Sequence, residues 1–93
     1  MTFDILLPTI DRAASLIMTL SGVAAQDAGP CRLVIADQSV EPQLGQPVVR
    51  SLLRIIEARG HEVEYHYRRE RFGIAEQRDF LLQRARGDKV LYL

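Results

Sequence analysis

One acidic residue and one arginine in this 93-residue chain stand where they could serve ligand chemistry. Asp37 closes the apolar run CRLVIAD, and a carboxylate at a strand end can accept hydrogen bonds from a ribose hydroxyl or a base N–H. The same carboxylate could instead cap the following loop through Ser39 and nearby amides, so both roles stay open. Arg78 lies about one turn inside a segment of helical period, where helix geometry favours a negative partner.

Arg78 also falls within an apolar pattern. The segment carries a stripe formed by Ile74, Ala75, Leu81, Leu82 and Ala85. A guanidinium near the middle of that stripe must reach solvent or meet an anion, which could be a phosphate, a ligand carboxylate, Asp37 or Asp79. Gly73 opens the segment and could allow a close approach to a ligand, although an ordinary turn glycine is the commoner explanation.

Other chemistries find less support in the residue pattern. His61 and His66 are five apart on an apparent strand and therefore lie on opposite faces, which excludes a joint metal site. Cys31 has no histidine neighbour in sequence and is expected to be a small core residue. No G-x-G-x-x-G, P-loop or G-x-S-x-G motif occurs, which disfavours dinucleotide, ATP-phosphate and hydrolase sites.

Four short apolar runs alternate with three segments of helical period. The runs are FDILLP, CRLVIAD, HEVEYHY and KVLYL. The first helical segment begins after Asp11, which is a candidate N-cap. The second is VVRSLLRIIEARG, with Gly60 as its C-terminal cap, and the third begins near Ile74. The first helix should carry one apolar stripe, Ala13, Leu16, Ile17, Leu20, Val23 and Ala24, and the second should carry another, Val48, Val49, Leu52, Leu53 and Ile56. This alternation predicts a Rossmann-like α/β fold with a parallel sheet and three helices.

The strand order follows from hydrophobicity. HEVEYHY alternates, with Val63, Tyr65 and Tyr67 on one face, which is typical of an edge strand, whereas the other runs are nearly continuous in apolar residues. The order 3-2-1-4 satisfies both patterns. Ligands of such sheets bind outside the carboxyl ends of the strands, where the winding reverses. Strand one would deliver Pro8, Thr9 and Asp11 to that place, and strand two would deliver Asp37.

Composition limits the partners. Twelve basic and twelve acidic residues cancel, so neither nucleic acid nor an anionic membrane is expected as the main partner. The basic run YHYRRERF, with Arg68, Arg69 and Arg71, is more often a solvated strand end than a binding patch. No apolar run approaches the ~20 residues needed to span a bilayer. The single Cys31 and the absence of a basic leader favour a reducing, cytoplasmic location.

Three stretches resemble the amino-terminal half of family 2 glycosyltransferases, which have the GT-A fold. DILLPTIDR resembles the first strand and its P-x-x-N-R turn, with Asp11 in place of Asn, and LVIADQS resembles V-D-D-G-S, with Gln38 departing. RFGIAEQRDFLLQRARGDKVLYL is similar to the segment N-x-G-x-x-x-A-R-N-x-G-L-x-x-A-x-G-D-x-V-x-F-L. The matching residues there are Gly73, Arg78, Ala85, Gly87, Asp88, Val90 and Leu93, while Asp79 replaces Asn.

The resemblance implies that residues 1–93 are the nucleotide-binding half of a GT-A domain, incomplete and ending just before a metal-binding D-x-D motif. It implies that Thr9, Asp11 and Asp37 line the nucleoside pocket and that Arg78 helps to hold the nucleotide. The parent enzyme would transfer a sugar from a nucleotide-diphosphate sugar with Mg²⁺ or Mn²⁺ on the diphosphate. The chain alone should have little activity and need no metal.

A second interpretation is a small non-catalytic α/β module that binds a nucleotide or a protein and is complete at Leu93. In either case KVLYL would be an edge strand with apolar side chains. Such an edge favours self-association or partial disorder.

Overall fold

A computed structural model describes residues 3–26, 29–68, 73–87 and 89–93 of the chain. These residues form four strands, three α-helices and one short 3₁₀ helix. In chain order the elements are β1 (Phe3–Thr9), α1 (Ala13–Ala25), β2 (Arg32–Asp37), the 3₁₀ helix (Gln43–Gly45), α2 (Pro47–Ala58), β3 (Glu62–Tyr67), α3 (Ile74–Arg84) and β4 (Lys89–Tyr92). The last four residues of the basic run YHYRRERF, 69–72, lie outside the described residues, and so does Asp88.

The sheet is parallel throughout the described chain and has the order β3-β2-β1-β4, which confirms the predicted fold class and strand order. Thr9 at the end of β1 is the register partner of Asp37, and Asp37 is the partner of Tyr67. The carboxyl ends of these strands are therefore level with one another. On its other side β1 pairs with β4, from Phe3 with Lys89 to Leu6 with Tyr92.

Hydrophobicity explains which strands are central. All six residues of β2 are buried, whereas β3 lies at the edge, as its alternation predicted. Val63 and Tyr65 pack against the core, and the opposite face, with Glu64 and His66, is half-buried. That polar face is thus less exposed than a fully wet face would be.

The larger core lies between the sheet and the helices α1 and α2. Its buried members are Ile5, Leu7, Leu16, Leu20, Val23, Cys31, Leu33, Ile35, Val49, Leu53 and Ile56. The predicted stripes of both helices are confirmed apart from Val48, which is exposed. Gly60 follows α2 with a φ of 95°, a backbone region that glycine adopts without strain. Cys31 is buried in this core as expected, and burial, followed by the charge of Asp4, raises the pKa of its thiol.

The smaller core lies on the opposite face of the sheet, beneath α3. Its buried members are Leu6, Val34, Ala36 and Leu81, with Phe80, Ala85 and Tyr92 packed against them. The predicted orientation of α3 is wrong, because Gln77 and Leu81 are its buried residues while Ala75, Arg78 and Leu82 are exposed. The amide of Gln77 donates to the carbonyl of Ala36 at 3.2 Å, and this bond turns Arg78 away from the sheet.

Asp4 binds the connection between α3 and β4 through hydrogen bonds. Its side chain is only 1% exposed although it belongs to an apolar strand. Its Oδ2 accepts hydrogen bonds from the backbone amides of Arg86 at 2.5 Å and Gly87 at 2.7 Å. A single carboxylate oxygen thus satisfies two amides immediately before β4, close to the sheet edge.

The helices of the described residues are all too short or too polar to cross a membrane. The edge strand β4 has exposed apolar side chains, among them Val90 and Leu91. The predicted self-association through this strand stays a prediction.

Candidate functional site

A cleft of about 370 Å³ opens at the carboxyl ends of β1, β2 and β4, where the sheet reverses its winding. Both faces of the sheet contribute to it, because α1 lies on one face and α3 on the other. The residues that matter for chemistry are Pro8, Thr9, Arg12, Gln38, Gln77 and Tyr92. Among the described lining residues Arg12 is the one with a charge. The cleft therefore favours a neutral or anionic ligand.

The turn between β1 and α1 shapes one wall of the cleft. Asp11 has a φ of 44°, a left-handed conformation that Asp tolerates better than most residues. Its amide donates to Ser39 Oγ at 2.8 Å, and its Oδ1 accepts from the amide of Val40 at 3.0 Å. The prediction that Asp11 caps α1 is wrong, since Arg12 is the N-cap residue. Asp11 instead ties the turn to the loop after β2, which carries Gln38.

Asp37 lies beneath that loop and is 0% exposed. Its Oδ1 accepts from the amide of Ser39 at 2.9 Å, and its Oδ2 accepts from the amide of Gln43 at 2.8 Å and from the hydroxyl of Tyr65. The loop-capping alternative is thus realised in the structure. Contact of Asp37 with a ribose or a base stays a prediction, and it would require movement of the loop.

The hydroxyl groups of β3 complete the support of the loop. Tyr67 donates to the carbonyls of Ser39 at 2.9 Å and Val40 at 2.8 Å. Tyr65 accepts from the amide of Leu44 at 3.3 Å while donating to Asp37. The loop after β2 is consequently held by side chains of β3, by Asp37 and by the turn that carries Asp11, so its geometry is set before any ligand arrives.

Tyr65 gives this support a pH dependence. Burial, followed by the hydrogen bond to Asp37, raises the pKa of the Tyr65 phenol above its ordinary value of about 10. A raised folded-state pKa means that the stabilisation is fully present below about pH 10 and is lost as the pH rises towards the folded value. We expect urea unfolding to show stability falling more steeply above pH 10 in wild type than in Tyr65→Phe. At pH 7, Tyr65→Phe should cost about 1–2 kcal/mol.

Tyr67→Phe is the matched control at pH 7, because it removes a hydroxyl that donates to backbone carbonyls and not to Asp37. Equal alkaline slopes for wild type and Tyr65→Phe would contradict the assignment.

The remaining predicted site residues are Pro8, Thr9, Gly73 and Arg78. Pro8 and Thr9 line the cleft as expected from their strand. The guanidinium of Arg78 lies 4.9 Å from the centroid of the Tyr92 ring, and Tyr92 itself lines the cleft. The oxygens of Asp37 are occupied by the groups named above, so the pairing of Arg78 with Asp37 is not seen among the described contacts. At Gly73 a Cβ would meet no described atom within 4 Å, so its part in ligand approach stays a prediction.

A polar cluster on the α3 face of β3 was not predicted. Glu64 accepts from Arg32 Nη2 at 2.5 Å and lies 2.6 Å from Nε2 of His66, whose ring meets Phe80 edge-on. Burial raises the pKa of Glu64, but the hydrogen bond from His66 and the charge of Arg32 outweigh it and hold the pKa below its usual value. Within the described ranges no three His, Cys, Asp or Glu side chains are grouped to hold a metal ion.

Arg12, Gln77 and Tyr92 are cleft residues that sequence reasoning missed. Arg12 directly follows the predicted site residue Asp11, so its place in the chain was a signal that could have been used. Gln77 stands one residue before Arg78 and would have been found only with the correct rotation of α3. Tyr92 belongs to the run KVLYL, where an aromatic ring next to a strand end was the available signal.

No protein-family model and no curated protein matches the sequence. Among solved structures, the crystal structure of S. aureus TarS, a glycosyltransferase, is similar to this chain with a TM-score of 0.74 and 20% sequence identity. The match covers 100% of this chain and 16% of the TarS chain, so this chain spans about one sixth of that protein. At this identity the similarity concerns the fold. The chain therefore shares a parallel α/β fold with this part of TarS.

Proposed function

We propose that residues 1–93 are the nucleotide-binding part of a longer glycosyltransferase, corresponding to the amino-terminal half of a family 2 GT-A domain. The observation that carries the proposal is the cleft at the carboxyl ends of β1, β2 and β4. Parallel α/β sheets bind nucleotides at this place, and the fold similarity to part of TarS supports the same assignment.

In this proposal Pro8, Thr9 and the loop held by Asp11 and Asp37 form the nucleoside pocket. Arg12 lines the cleft, and Arg78 stands at its rim beside Tyr92. Guanidinium groups bind phosphate oxygens through charge-assisted hydrogen bonds, so these two arginines are the groups that would hold the diphosphate. Asp37 acts indirectly, because it fixes the loop that forms the pocket wall.

The longer protein would transfer a sugar from a nucleotide-diphosphate sugar to an acceptor. The Mg²⁺ or Mn²⁺ implied by the resemblance does not fit the part of the chain that the structure describes, which offers no cluster of three ligating side chains. We therefore assign no step to a metal within these residues. Such an ion belongs to the proposal for the longer protein, and residues 1–93 alone would bind the nucleotide without transferring a sugar.

The test is a titration of the ¹⁵N-labelled chain with uridine diphosphate, followed by amide chemical shifts. We expect shifts at Thr9, Gln38 and Gln77 and a dissociation constant about tenfold higher in Arg12→Ala, since a charge-assisted bond contributes about 1.5–3 kcal/mol. Arg54→Ala is the control, because Arg54 is exposed on α2, away from the cleft lining. Shifts spread over the surface and unaffected by Arg12→Ala would contradict a nucleotide site in the cleft.

A protein-binding module is a second candidate, favoured by a different surface. An apolar groove of about 440 Å³ runs between α1 and β4, lined by Phe3, Ile5, Met18 and Leu91 among others. Met18 is 76% exposed there. Exposed apolar grooves of this kind are typical of protein interaction sites. The nucleotide titration separates the two candidates, because a module that binds only protein would give no shifts with the nucleotide.

A further inference from the structure

We propose that Gln77 donates a hydrogen bond to a carbonyl oxygen of the nucleotide base, and thereby selects a keto base over an amino base. The inference deepens the proposed function and rests on it, since it assigns a specificity-determining residue to the same cleft. Gln77 is 4% exposed and lines the cleft from α3.

Two partners fix the orientation of the Gln77 amide. Its Nε2 donates to the carbonyl of Ala36 at 3.2 Å, and its Oε1 accepts from Nη1 of Arg68 at 3.3 Å. A carbonyl can only accept and a guanidinium can only donate, so turning the amide over would lose both bonds. The nitrogen carries two hydrogens, and the contacts of the described residues account for one of them. The second hydrogen remains for a ligand.

Arg68 is itself held in place. Its guanidinium lies 3.7 Å from the centroid of the Phe80 ring, and its backbone amide donates to the carbonyl of Asp37 at 2.6 Å. A freely turning amide would present either its oxygen or its nitrogen and would read both kinds of base. An amide held between Ala36 and Arg68 presents only a donor, which is the condition for discrimination.

The acceptor on the ligand is a base and not a phosphate. A phosphate oxygen forms a stronger hydrogen bond with a guanidinium group than with a neutral amide. Arg12 and Arg78 supply guanidinium groups at the cleft. Uracil and cytosine have similar size and share the carbonyl at C2, but at C4 uracil presents a carbonyl where cytosine presents an amino group, so C4 is the position that Gln77 would read. If the fixed N–H of Gln77 faces the amino group of cytosine, two donors oppose each other and both stay unpaired. Unpaired buried polar groups are the strongest reason for a site to reject a ligand.

The experiment compares uridine diphosphate with cytidine diphosphate by amide chemical shifts, using the full chain. We expect wild type to bind the uridine nucleotide about tenfold more tightly, and Gln77→Met to bind both equally. Gln77→Glu presents only acceptors and should reverse the preference, a result that a merely structural role would not produce. Gln83→Met is the matched control, because Gln83 is exposed on the same helix, and it should keep the wild-type ratio.

The outcomes separate the inference from the proposed function. If wild type binds neither nucleotide, both are overturned. If wild type binds in the cleft but Gln77→Glu and Gln77→Met keep its ratio of affinities, the inference alone is overturned and the nucleotide site stands. Circular dichroism checks the fold of each variant. If Gln77→Met does not fold, the ratio of uridine to cytidine nucleotide affinities in Gln77→Glu tests the inference. Arg68→Met, which removes the bond that fixes the amide, tests it in the same way.

Discussion

Replacing Asp37 with alanine should lower the free energy of unfolding by roughly 3–5 kcal/mol. The carboxylate is wholly buried and accepts from two backbone amides and from the hydroxyl of Tyr65. Removing it leaves these donors without an acceptor, and hydrogen bonds to a charged group are worth more than neutral ones. Because domains are stable by only about 5–15 kcal/mol, a loss of this size would remove from about one fifth to all of the stability of a typical domain.

Urea unfolding at pH 7, followed by circular dichroism, measures the effect. Asp79→Ala is the control, since Asp79 is exposed on α3 and should change stability by less than about 0.5 kcal/mol. Asp37→Asn keeps one acceptor oxygen and should fall between wild type and Asp37→Ala. The same stability for the Asp37→Ala and Asp79→Ala proteins would show that Asp37 does not organise the loop.

Asp4→Ala should cost about 2–4 kcal/mol and should loosen β4 more than the rest of the sheet. One buried oxygen accepts from the amides of Arg86 and Gly87, which directly precede β4. Without it the connection from α3 to β4 loses its fixed point, and β4 is held by its pairing with β1 and by the packing of Tyr92 against the smaller core. Amide hydrogen exchange by NMR should then accelerate at Val90 and Leu91 beyond the rate expected from global unfolding alone.

Asp4→Asn separates charge from shape, because its amide oxygen can still accept both bonds. We expect this variant to retain ordered β4 with a smaller loss of stability. Uniform acceleration of exchange across β1, β2 and β4 in Asp4→Ala would argue against a local fastening role and for a general contribution to the core.

The strand order was predictable because hydrophobicity alone separates the buried strands from the edge strand. Each residue of β2 is apolar or at a strand end, whereas β3 alternates, and parallel sheets place such strands differently. The position of the cleft followed from the same order. These features depend on local patterns along the chain, which a sequence displays directly.

The rotation of α3 could not be predicted from the same kind of pattern. Leu81 is compatible with either of two faces, because the other large apolar residues of the segment, Ile74, Phe80 and Leu82, are spread around the helix. The choice is made by partners far away in sequence, since Gln77 bonds to the carbonyl of Ala36 and Leu81 fills the gap beside Leu6. The spacing of apolar residues cannot reveal that a polar residue is buried. Gln77 is buried because its amide donates to a carbonyl of β2.

Asp11 shows the same limitation at a turn. Its type and position were right for a helix cap, yet its carboxylate bonds to Val40 and its amide to Ser39. Asp37 had two roles open in the sequence, and the structure realises the one that uses nearby amides of its own loop. A residue type thus indicates which hydrogen bonds the side chain can form. Which partners it bonds to depends on the folded chain.

The pairing of β1 with β4 has a consequence for how the chain folds. Phe3 and Lys89 become neighbours although nearly the whole sequence separates them, and every strand pair in the described sheet is parallel, so no tight hairpin can start the process. Closing such long loops costs conformational entropy before the strand contacts form and stabilise the chain. Chains dominated by contacts distant in sequence therefore fold slowly. During synthesis on the ribosome, one edge of β1 stays unpaired until residues 89–92 have emerged.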